Sequence, residues 1–336
     1  MKRIADEAGV SMMTVSRVLR NESSVAPKTK ELVRSIADRL GYKRNRLVQG
    51  IQSGRSGIIG LVMPFGNEMT SCIMSGAYDY LNEKDRIMAV DIVHGNAGDA
   101  AFATQVKLIN RLLESRVEGI ILCPVNEQAS PLYFKEVVDR KIPLVLVDRN
   151  TTHFAADFVG TDDFAGGREA ARVLAHNGCK RAILISAGAY ASTSRLRGLG
   201  FRAGLAEFGL ELTNEIIAPN FTSNTELIDS ELNKYKGKFD CVFGVADGFA
   251  LSAWHSCERL GLTVPERVKV IGFGALNLRD PRGALSSFDQ DPCQIGRNAA
   301  ELLLERIEAA PSDKLPTPRT ILNIPQFVQG VTCAGV

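Results

Sequence analysis

The chain has 336 residues, of which 45% are hydrophobic and 23% charged, so it can bury the cores of two or three domains and is not a disordered chain. Its first 56 residues carry twelve Lys and Arg against five Asp and Glu, a net charge of +7, although the whole chain carries only +2. The remaining residues therefore carry −5. A basic segment joined to an acidic body predicts that the basic segment binds a polyanion.

The seven cysteines occur singly along the chain, without a CxxC pair or a histidine at metal-ligand spacing. We therefore expect buried, reduced thiols, no metal site and no cofactor. The sequence starts with MKRIADEAGV, which has no apolar core of a secretion signal, and later stretches are too short for a spanning helix. These features predict a cytoplasmic protein with no membrane partner.

Three short helices and no strand are predicted for the basic segment. Gly9 permits a left-handed turn after the first helix, Ser11 can cap the second, and the third begins at Pro27 and ends at Gly41. The apolar positions expected to be buried are Ile4, Ala5, Ala8, Val15, Val18, Leu19, Leu32, Val33, Ile36 and Leu40. Two helices joined by a glycine-containing turn are typical of a helix-turn-helix unit.

Such a unit places the first residues of its second helix in the major groove of DNA. Arg17 is the strongest candidate for a base contact, because its planar fork matches the two acceptors of guanine, whereas Met12 and Met13 offer apolar contact to thymine methyl groups. The polar residues that suit phosphate contacts are Ser11, Thr14, Ser16 and Asn21. The alternative is a three-helix bundle with a solvated basic face.

The sequence YKRNRLVQGIQSGRSG lies between Gly41 and Ile58 and has a short apolar stripe at its centre. A helix this short is not stable alone, so we expect it to order only with DNA and a second copy of the chain. Ile51 could then enter a minor-groove step, with Asn45 and Arg46 as neighbouring DNA contacts. The alternative is a flexible linker.

From Ile58 onward, short apolar runs alternate with segments of helical periodicity. The runs are IIGLV (58–62), IMAVDIV (87–93), GIILC (119–123), PLVLV (143–147), AILIS (182–186), EIIAP (215–219), CVFGV (241–245) and KVIGF (269–273). Continuous apolar strands indicate parallel sheets that helices cover on both faces. Eight strands predict two sheets of four or five strands, with a crossing between them near residues 157–163.

Ligands of such sheets bind beyond the carboxyl ends of the strands. The residues that follow the predicted strands are Pro64, Phe65, Asp91, Cys123, Pro124, Asp148, Arg149, Asn220, Phe221, Asp247, Phe273 and Gly274. Two sheets facing each other would form a cleft lined by carboxylates, aromatic rings and the long Arg197. This cleft suits a small polyhydroxylated or nitrogenous ligand.

The chain resembles the LacI/GalR family of transcriptional regulators along essentially its whole length. The segments that carry the resemblance are IADEAGVSMMTVSRVLRN (4–21), KTKELVRSIADRLGYKRNR (28–46), IIGLV (58–62), VDR (147–149), TDDFAGGREAARVL (161–174), SRLRGLGFRAGL (194–205), VADGFALSA (245–253), VIGF (270–273) and DQDPCQIGRNAAELLLERI (289–307).

The resemblance implies an α/β fold in which a three-helix helix-turn-helix headpiece and a hinge precede two doubly wound parallel-sheet subdomains of periplasmic-binding-protein type. The implied boundaries are headpiece 1–43, hinge 44–56, and core 57–336. Within the core, the N-subdomain would take about 57–159 plus 290–318, and the C-subdomain about 160–289 plus 319–336. A homodimer on near-palindromic operator DNA is implied as well.

The resemblance also implies roles for individual residues. Met12 and Met13 stand where bases are read, Arg17 at an operator contact, and Ile51 at the wedge position. The implied effector contacts, with Phe65 added from the strand ends, are Phe65, Asp148, Arg197, Phe221, Asp247 and Gln290. Ala246 and Gly274 depart from the polar residues of sugar-responsive members, so a sugar-like effector is expected but its identity, and its role as inducer or corepressor, stay open.

A repressor controlled by a small effector is therefore the leading hypothesis, and it predicts no enzymatic activity. The alternatives are a solute-binding protein and a Rossmann-like oxidoreductase. An oxidoreductase would need a full glycine fingerprint after its first strand, where this chain has VMPFGNE, and HExxH, GxSxG and P-loop motifs are absent from the sequence. A solute-binding protein has no use for a helix-turn-helix.

Overall fold

The computed structural model describes residues 1–19, 23–42, 55–66, 68–94, 99–127, 134–151, 154–187, 191–218, 225–275, 283–309 and 317–335. The chain divides into two compact units, Met1–Ser56 and Gly57–Val336. Among the described residues, no helix combines the length and apolar character needed to cross a membrane.

The smaller unit contains the three predicted helices, α1 (Lys2–Ala8), α2 (Met12–Leu19) and α3 (Pro27–Arg39). Gly9 ends α1 in the left-handed region at φ 64°, and its N–H donates to the Ala5 carbonyl. The Ser11 hydroxyl accepts the Thr14 N–H at 3.1 Å and so caps α2. Pro27 opens α3, where its missing N–H costs no hydrogen bond.

The core of this unit confirms most of the predicted apolar face. The fully buried residues are Ile4, Ala5, Val15, Val18, Val33, Ile36 and Ala37. The prediction for Leu32 is wrong, since 47% of this residue is exposed. Successive residues of a helix are rotated by about 100°, so Leu32 lies roughly a quarter turn away from the inward face that Val33, Ile36 and Ala37 form.

The larger unit is built from twelve strands and eight helices of the described chain. The strands are β1 (Ile58–Pro64), β2 (Ile87–Val93), β3 (Gly119–Leu122), β4 (Leu144–Val147), β5 (Asp157–Thr161), β6 (Arg181–Ser186), β7 (Glu211–Ile217), β8 (Cys241–Gly244), β9 (Lys269–Ile271), β10 (Ser287–Asp289), β11 (Thr320–Asn323) and β12 (Gln326–Val328). The helices are α4 (Glu68–Glu83), α5 (Asp99–Glu114), α6 (Lys135–Asp139), α7 (Asp163–His176), α8 (Ser192–Phe208), α9 (Thr225–Lys234), α10 (Asp247–Arg259) and α11 (Pro292–Glu308).

The strands form two parallel sheets and a small ribbon. The first sheet has the order β11-β5-β4-β3-β1-β2, and the second has the order β7-β6-β8-β9. Strands β10 and β12 pair antiparallel. All pairs within the two larger sheets are parallel, which confirms the predicted architecture and brings the carboxyl ends of the strands of each sheet to one edge.

The predicted crossing at 157–163 is in part a strand, and the chain leaves the first sheet only after Thr161. Residues 157–161 form β5 between β4 and β11, so the first sheet has six strands and the second four. The charged Asp157 hides this strand in the sequence, but its carboxylate is held by Arg306 Nε at 2.7 Å and by the Arg319 N–H at 2.7 Å. A buried charge with such partners is compatible with a strand interior.

Two further boundaries differ from the expectation. Strand β7 begins at Glu211 rather than at 215. Strand β11 pairs with β5, with Asn323 opposite Thr161, so the last crossing between the sheets comes after Asn323 and not near residue 318. Strand β11 was missed because its sequence, TILN, is short, partly exposed and polar at both ends.

Helices α4 and α11 contact each other through their backbones beside the first sheet. A Cβ added to Gly296 would lie 1.9 Å from the Ile73 carbonyl oxygen, and one added to Gly76 would lie 1.8 Å from the Cys293 carbonyl oxygen. Since neither contact involves a movable side chain, these glycines fix how closely the helices pack.

We expect Gly296→Ala to lower the free energy of unfolding of the full chain by about 1–3 kcal/mol, because the added methyl group forces the helices apart. The matched control is Gly198→Ala in α8, where the new Cβ would meet only the flexible end of Arg202 at 3.2 Å. Alanine favours a helix over glycine by about 1 kcal/mol, so this control should be neutral or stabilising. Urea unfolding compares the two, and equal effects would contradict the packing argument.

Candidate nucleic-acid interface and ligand site

Helix α2 turns its apolar residues inward and its recognition candidates outward. Val15 and Val18 are buried, whereas Met13 is 63% and Met12 is 54% exposed. Arg17 is exposed on the same helix. Two adjacent methionines kept in water are costly for a folded domain, so this surface is typical of one that meets a partner.

The polar candidates around this surface are placed less uniformly. Ser11 is exposed but also caps the helix, with its hydroxyl 3.0 Å from that of Thr14, and Thr14 and Ser16 are half-buried. The remaining predicted DNA contacts, Asn21, Asn45, Arg46 and Ile51, lie outside the described residues.

Arg197 is the centre of the predicted ligand site. It is only 5% exposed, and its guanidinium donates to Asp163 at 2.7 Å, to the Val245 carbonyl at 2.9 Å and to Gln290 at 2.7 Å. The same guanidinium lies 3.9 Å from the centre of the Phe273 ring. These contacts fix the plane of the guanidinium group as well as its position.

Asp163 is the charged partner of Arg197 and opens helix α7. Burial raises the pKa of its carboxyl group to about 6, Arg197 opposes this rise, and the neighbouring Asp148 carboxylate adds to it. The pKa of Asp163 therefore lies closer to neutral pH than the pKa of an exposed aspartate, because removing the carboxylate charge from water is costly.

Gln290 connects Arg197 to the crossings between the two sheets. Its side-chain oxygen accepts both Arg197 and the Thr161 hydroxyl, the latter at 3.1 Å, and its amide nitrogen lies 3.6 Å from the sulfur of Met69 in α4. Asn323 donates to the Gln290 carbonyl at 3.4 Å. Through its side chain and its backbone carbonyl, Gln290 therefore joins Thr161 and Asn323, which both lie where the chain passes between the sheets.

Asp247 sits beside this group at the end of β8. Its N–H donates to the Phe273 carbonyl at 3.0 Å, and its carboxylate accepts the Ser287 hydroxyl at 2.5 Å. Phe273 in turn stacks on Phe288 with ring centres 5.6 Å apart. Asp247 is therefore linked to Arg197 through the Phe273 segment.

Asp148 and Phe65 follow strands of the first sheet. Asp148 has a left-handed backbone, φ 63°, and its carboxylate lies 3.9 Å from the thiol of buried Cys123. Phe65 is 68% exposed and stacks on His94 with ring centres 5.0 Å apart. No described contact joins Phe65 to the Arg197 group, and Phe221 lies outside the described residues.

Three residues of this site were missed by the sequence reasoning. Thr161 is the last residue of β5, and Asp163 follows two residues later. The rule that ligands bind at strand ends would have selected both residues if β5 had been recognised in the sequence. Glu127, after β3, accepts the Ser192 N–H at the start of α8 at 2.7 Å, and burial raises the pKa of its carboxyl group. No local pattern in the sequence marks this third contact.

Comparison with known proteins supports the division into two units. Residues 1–45 match the family model described as bacterial regulatory proteins, lacI family. Residues 171–333 match a periplasmic binding protein-like domain.

Curated relatives align along nearly the whole chain. The chain is 27% identical to the HTH-type transcriptional repressor PurR of Vibrio vulnificus (strain CMCP6) over 321 residues, which cover 94% of this chain and 93% of the relative. It is 28% identical to the ribose operon repressor of Lactococcus lactis subsp. lactis (strain IL1403), over 90% of this chain and 89% of the relative.

Among solved structures, the lac repressor dimer bound to operator and the anti-inducer ONPF superposes with a TM-score of 0.82 at 21% identity, covering 98% of this chain and 97% of that one. The fold is thus shared along the entire length, and the N-terminal helices carry the family's own sequence pattern. The chain therefore carries a lacI-family helix-turn-helix domain at its N-terminus, followed by a periplasmic-binding-protein-like domain.

Proposed function

We propose that this protein is a sequence-specific transcriptional repressor that binds operator DNA as a homodimer, and whose affinity for the operator is controlled by a small, sugar-like effector. The observation that carries the proposal is the presence, in one chain, of an exposed recognition surface on α2 and a buried polar group around Arg197 that bridges the crossings of the larger unit. Because operator DNA lies in the cytoplasm of bacteria, we place the protein there.

On α2, we assign base reading to Arg17, Met12 and Met13. The guanidinium fork can bond the two acceptors of a guanine edge, and the thioethers can contact thymine methyl groups. Ser11, Thr14 and Ser16, with Asn21 and Asn45, are assigned to the phosphate backbone. Arg46 and Ile51 keep their assignment as hinge contacts in the minor groove, which rests on the sequence alone.

A homodimer is supported by the edge of the first sheet. Strand β2 ends that sheet and carries the exposed apolar side chains Ile87 and Val90. Tyr78 is exposed on α4, the helix that packs against β2. An apolar patch on an edge strand suits a self-complementary contact with a second copy. Two helix-turn-helix units would then read two half-sites. The lac repressor to which this chain is similar is a dimer bound to operator.

The effector site is assigned to Arg197, Asp148, Asp247 and Gln290, with Phe65 and Phe221 as aromatic neighbours. Within the described part of the chain, three of the five guanidinium N–H groups bond Asp163, Val245 and Gln290, which leaves two for a ligand. Carboxylates that accept hydroxyl groups and a guanidinium that donates to them suit a polyhydroxylated molecule. Similar proteins include a ribose operon repressor and a CelR–cellobiose complex.

Control of DNA binding follows from the position of Gln290. A ligand that bonds the two remaining N–H groups of Arg197 shifts the guanidinium against the Gln290 side chain, and Gln290 also contacts Thr161, Met69 and Asn323. If the two sheets can adopt two relative arrangements, an effector stabilises the arrangement that it binds more tightly. The size of this shift equals the difference between its binding free energies for the two arrangements. Whether that difference favours or disfavours DNA binding decides between corepressor and inducer.

Specific DNA binding is tested by selecting duplexes from a random pool with the full chain. We expect enrichment of a near-palindromic sequence, and we expect Arg17→Ala to lose about 1–3 kcal/mol on that sequence while changing affinity for random duplex little. Lys28→Ala, which removes an exposed cation of α3, is the control and should affect both duplexes alike. Failure to enrich any sequence would overturn the proposed function.

Affinity for the selected duplex should fall steeply with salt. A unit that neutralises about six phosphates gives a slope of about −5 in a plot of log affinity against log salt. Fluorescence anisotropy between low and moderate salt measures this slope. A flat plot would contradict a phosphate-directed role for the basic unit.

An effector can be found by screening sugars, sugar acids, polyols and nucleobases for a rise in the melting temperature of the full chain. Arg197→Ala should then weaken effector binding at least tenfold and abolish its influence on operator affinity, because a charged hydrogen-bond donor contributes about 1.5–3 kcal/mol. Arg197→Lys retains the charge beside Asp163 but loses the fork, so it should fail to restore the response.

The surface variant Arg168→Ala serves as the control for these substitutions, since Arg168 is an exposed partner of Glu207. It should respond to the effector like the parent protein. An Arg197→Ala protein that is folded and still responds fully would show that the effector binds elsewhere.

A further inference from the structure

Two cysteines and an aspartate that are far apart in the sequence meet at the amino ends of strands β6 and β8. Cys179 precedes β6 by two residues, and Asp240 and Cys241 lie at the start of β8. Their two thiol sulfurs and a carboxylate oxygen all lie within 4.8 Å of one another. The strands themselves are paired, with Ala182 opposite Cys241, so the fold holds this cluster in place.

The backbone around the cluster is firmly bonded. One carboxylate oxygen of Asp240 accepts the N–H groups of Lys180 and Arg181, each at 2.9 Å. The Cys179 thiol lies 3.9 Å from the Asp240 carbonyl oxygen, and the Cys241 thiol lies 3.7 Å from that of Arg181. These carbonyl contacts are weak, so the two sulfurs can turn toward a stronger partner without breaking the strand pairing.

A third thiol approaches from the C-terminal segment. Cys333 is buried, and its segment is anchored because its own N–H donates to the Ser286 hydroxyl at 2.9 Å and Ala334 accepts the Asn177 amide at 3.1 Å. Burial raises the pKa of Cys333 to about 12, and the nearby Cys179 adds to the rise. Cys179 is thus within electrostatic range of two other thiols, Cys241 and Cys333.

We propose that Cys179, Asp240 and Cys241 bind a thiophilic divalent cation, for which zinc is the natural choice. Thiolates at about 2.3 Å and a carboxylate at about 2.0 Å form the tetrahedral set that zinc prefers, in which ligand atoms lie about 3.8 Å apart. The observed cluster, whose ligand atoms lie within 4.8 Å of one another, is close to this spacing.

Charge and position agree with a structural role. A dication stabilises the buried thiolates that water cannot reach. The cluster lies at the amino ends of the strands, whereas Arg197 contacts the carboxyl end of β8 through Val245. The cation would therefore tie the residue before β6 to the start of β8 at the base of the second sheet, away from the effector site.

The spacing of cysteines along the chain gave no indication of this site, because its ligands come from two distant segments. The proposal is independent of DNA binding and effector binding, so its failure would leave the proposed function untouched.

The test uses the reduced, chelator-treated full chain carrying Cys72→Ser and Cys293→Ser. These substitutions remove the less buried pair of thiols in α4 and α11, which could bind metal themselves. Titration with Co²⁺ should give one equivalent of binding with a thiolate-to-cobalt absorption band, and Zn²⁺ should displace it. Zinc should also raise the melting temperature by several degrees, because it binds the folded state alone.

Three variants then separate the site from its surroundings. Cys241→Ser should lose the absorption band and the zinc-induced shift, whereas Cys257→Ser, which alters another buried thiol of the same core, should behave like its parent. Asp240→Asn retains an oxygen that accepts the two backbone N–H groups but loses the charge, so it should fold and bind the cation at least tenfold more weakly.

Absence of the band in the parent would overturn the proposal, as would a band that persists in Cys241→Ser. Formation of a Cys179–Cys241 disulfide in a protein that binds no cation would also overturn it. Should Cys241→Ser fail to fold, Asp240→Asn decides by itself.

Discussion

The larger unit depends on one buried cation, the Arg197 guanidinium. A charge in so dry a position costs several kcal/mol unless it is fully paired, and the chain supplies Asp163, the Val245 carbonyl, the Gln290 amide and the face of Phe273. These partners come from four separate segments. A movement of the guanidinium group therefore alters its contacts with all four segments.

Because Gln290 is shared, the cation is coupled to the places where the chain passes between the sheets. Thr161 and Asn323 both bond the Gln290 residue, and the Asp162 N–H donates to the Asn323 carbonyl at 2.9 Å. Hydrogen bonds between a ligand site and adjacent hinge segments allow ligand binding to change the hinge directly. No chain of intervening residues is needed. The proposed control of DNA binding needs no other device.

In the helix-turn-helix unit, the recognition face and the buried core are formed by different residues. Its small core forms without the outer face of α2, where Met12 and Met13 are exposed. Specificity for a nucleic acid can thus change by substitution on that face while the fold stays intact. The larger unit has no such separation, since its candidate ligand residues also hold its crossings together.

The sequence by itself determined the three helices, their glycine and proline boundaries, the parallel sheets, and ligand candidates such as Asp148 and Asp247, because periodicity, caps and strand ends are local signals. The family resemblance added Gln290. The tertiary structure decided that 157–161 is a strand, that Asp163 pairs with Arg197, that Leu32 faces solvent, and that Cys179 meets Cys241. Each of these depends on partners distant in the chain, which no local pattern encodes.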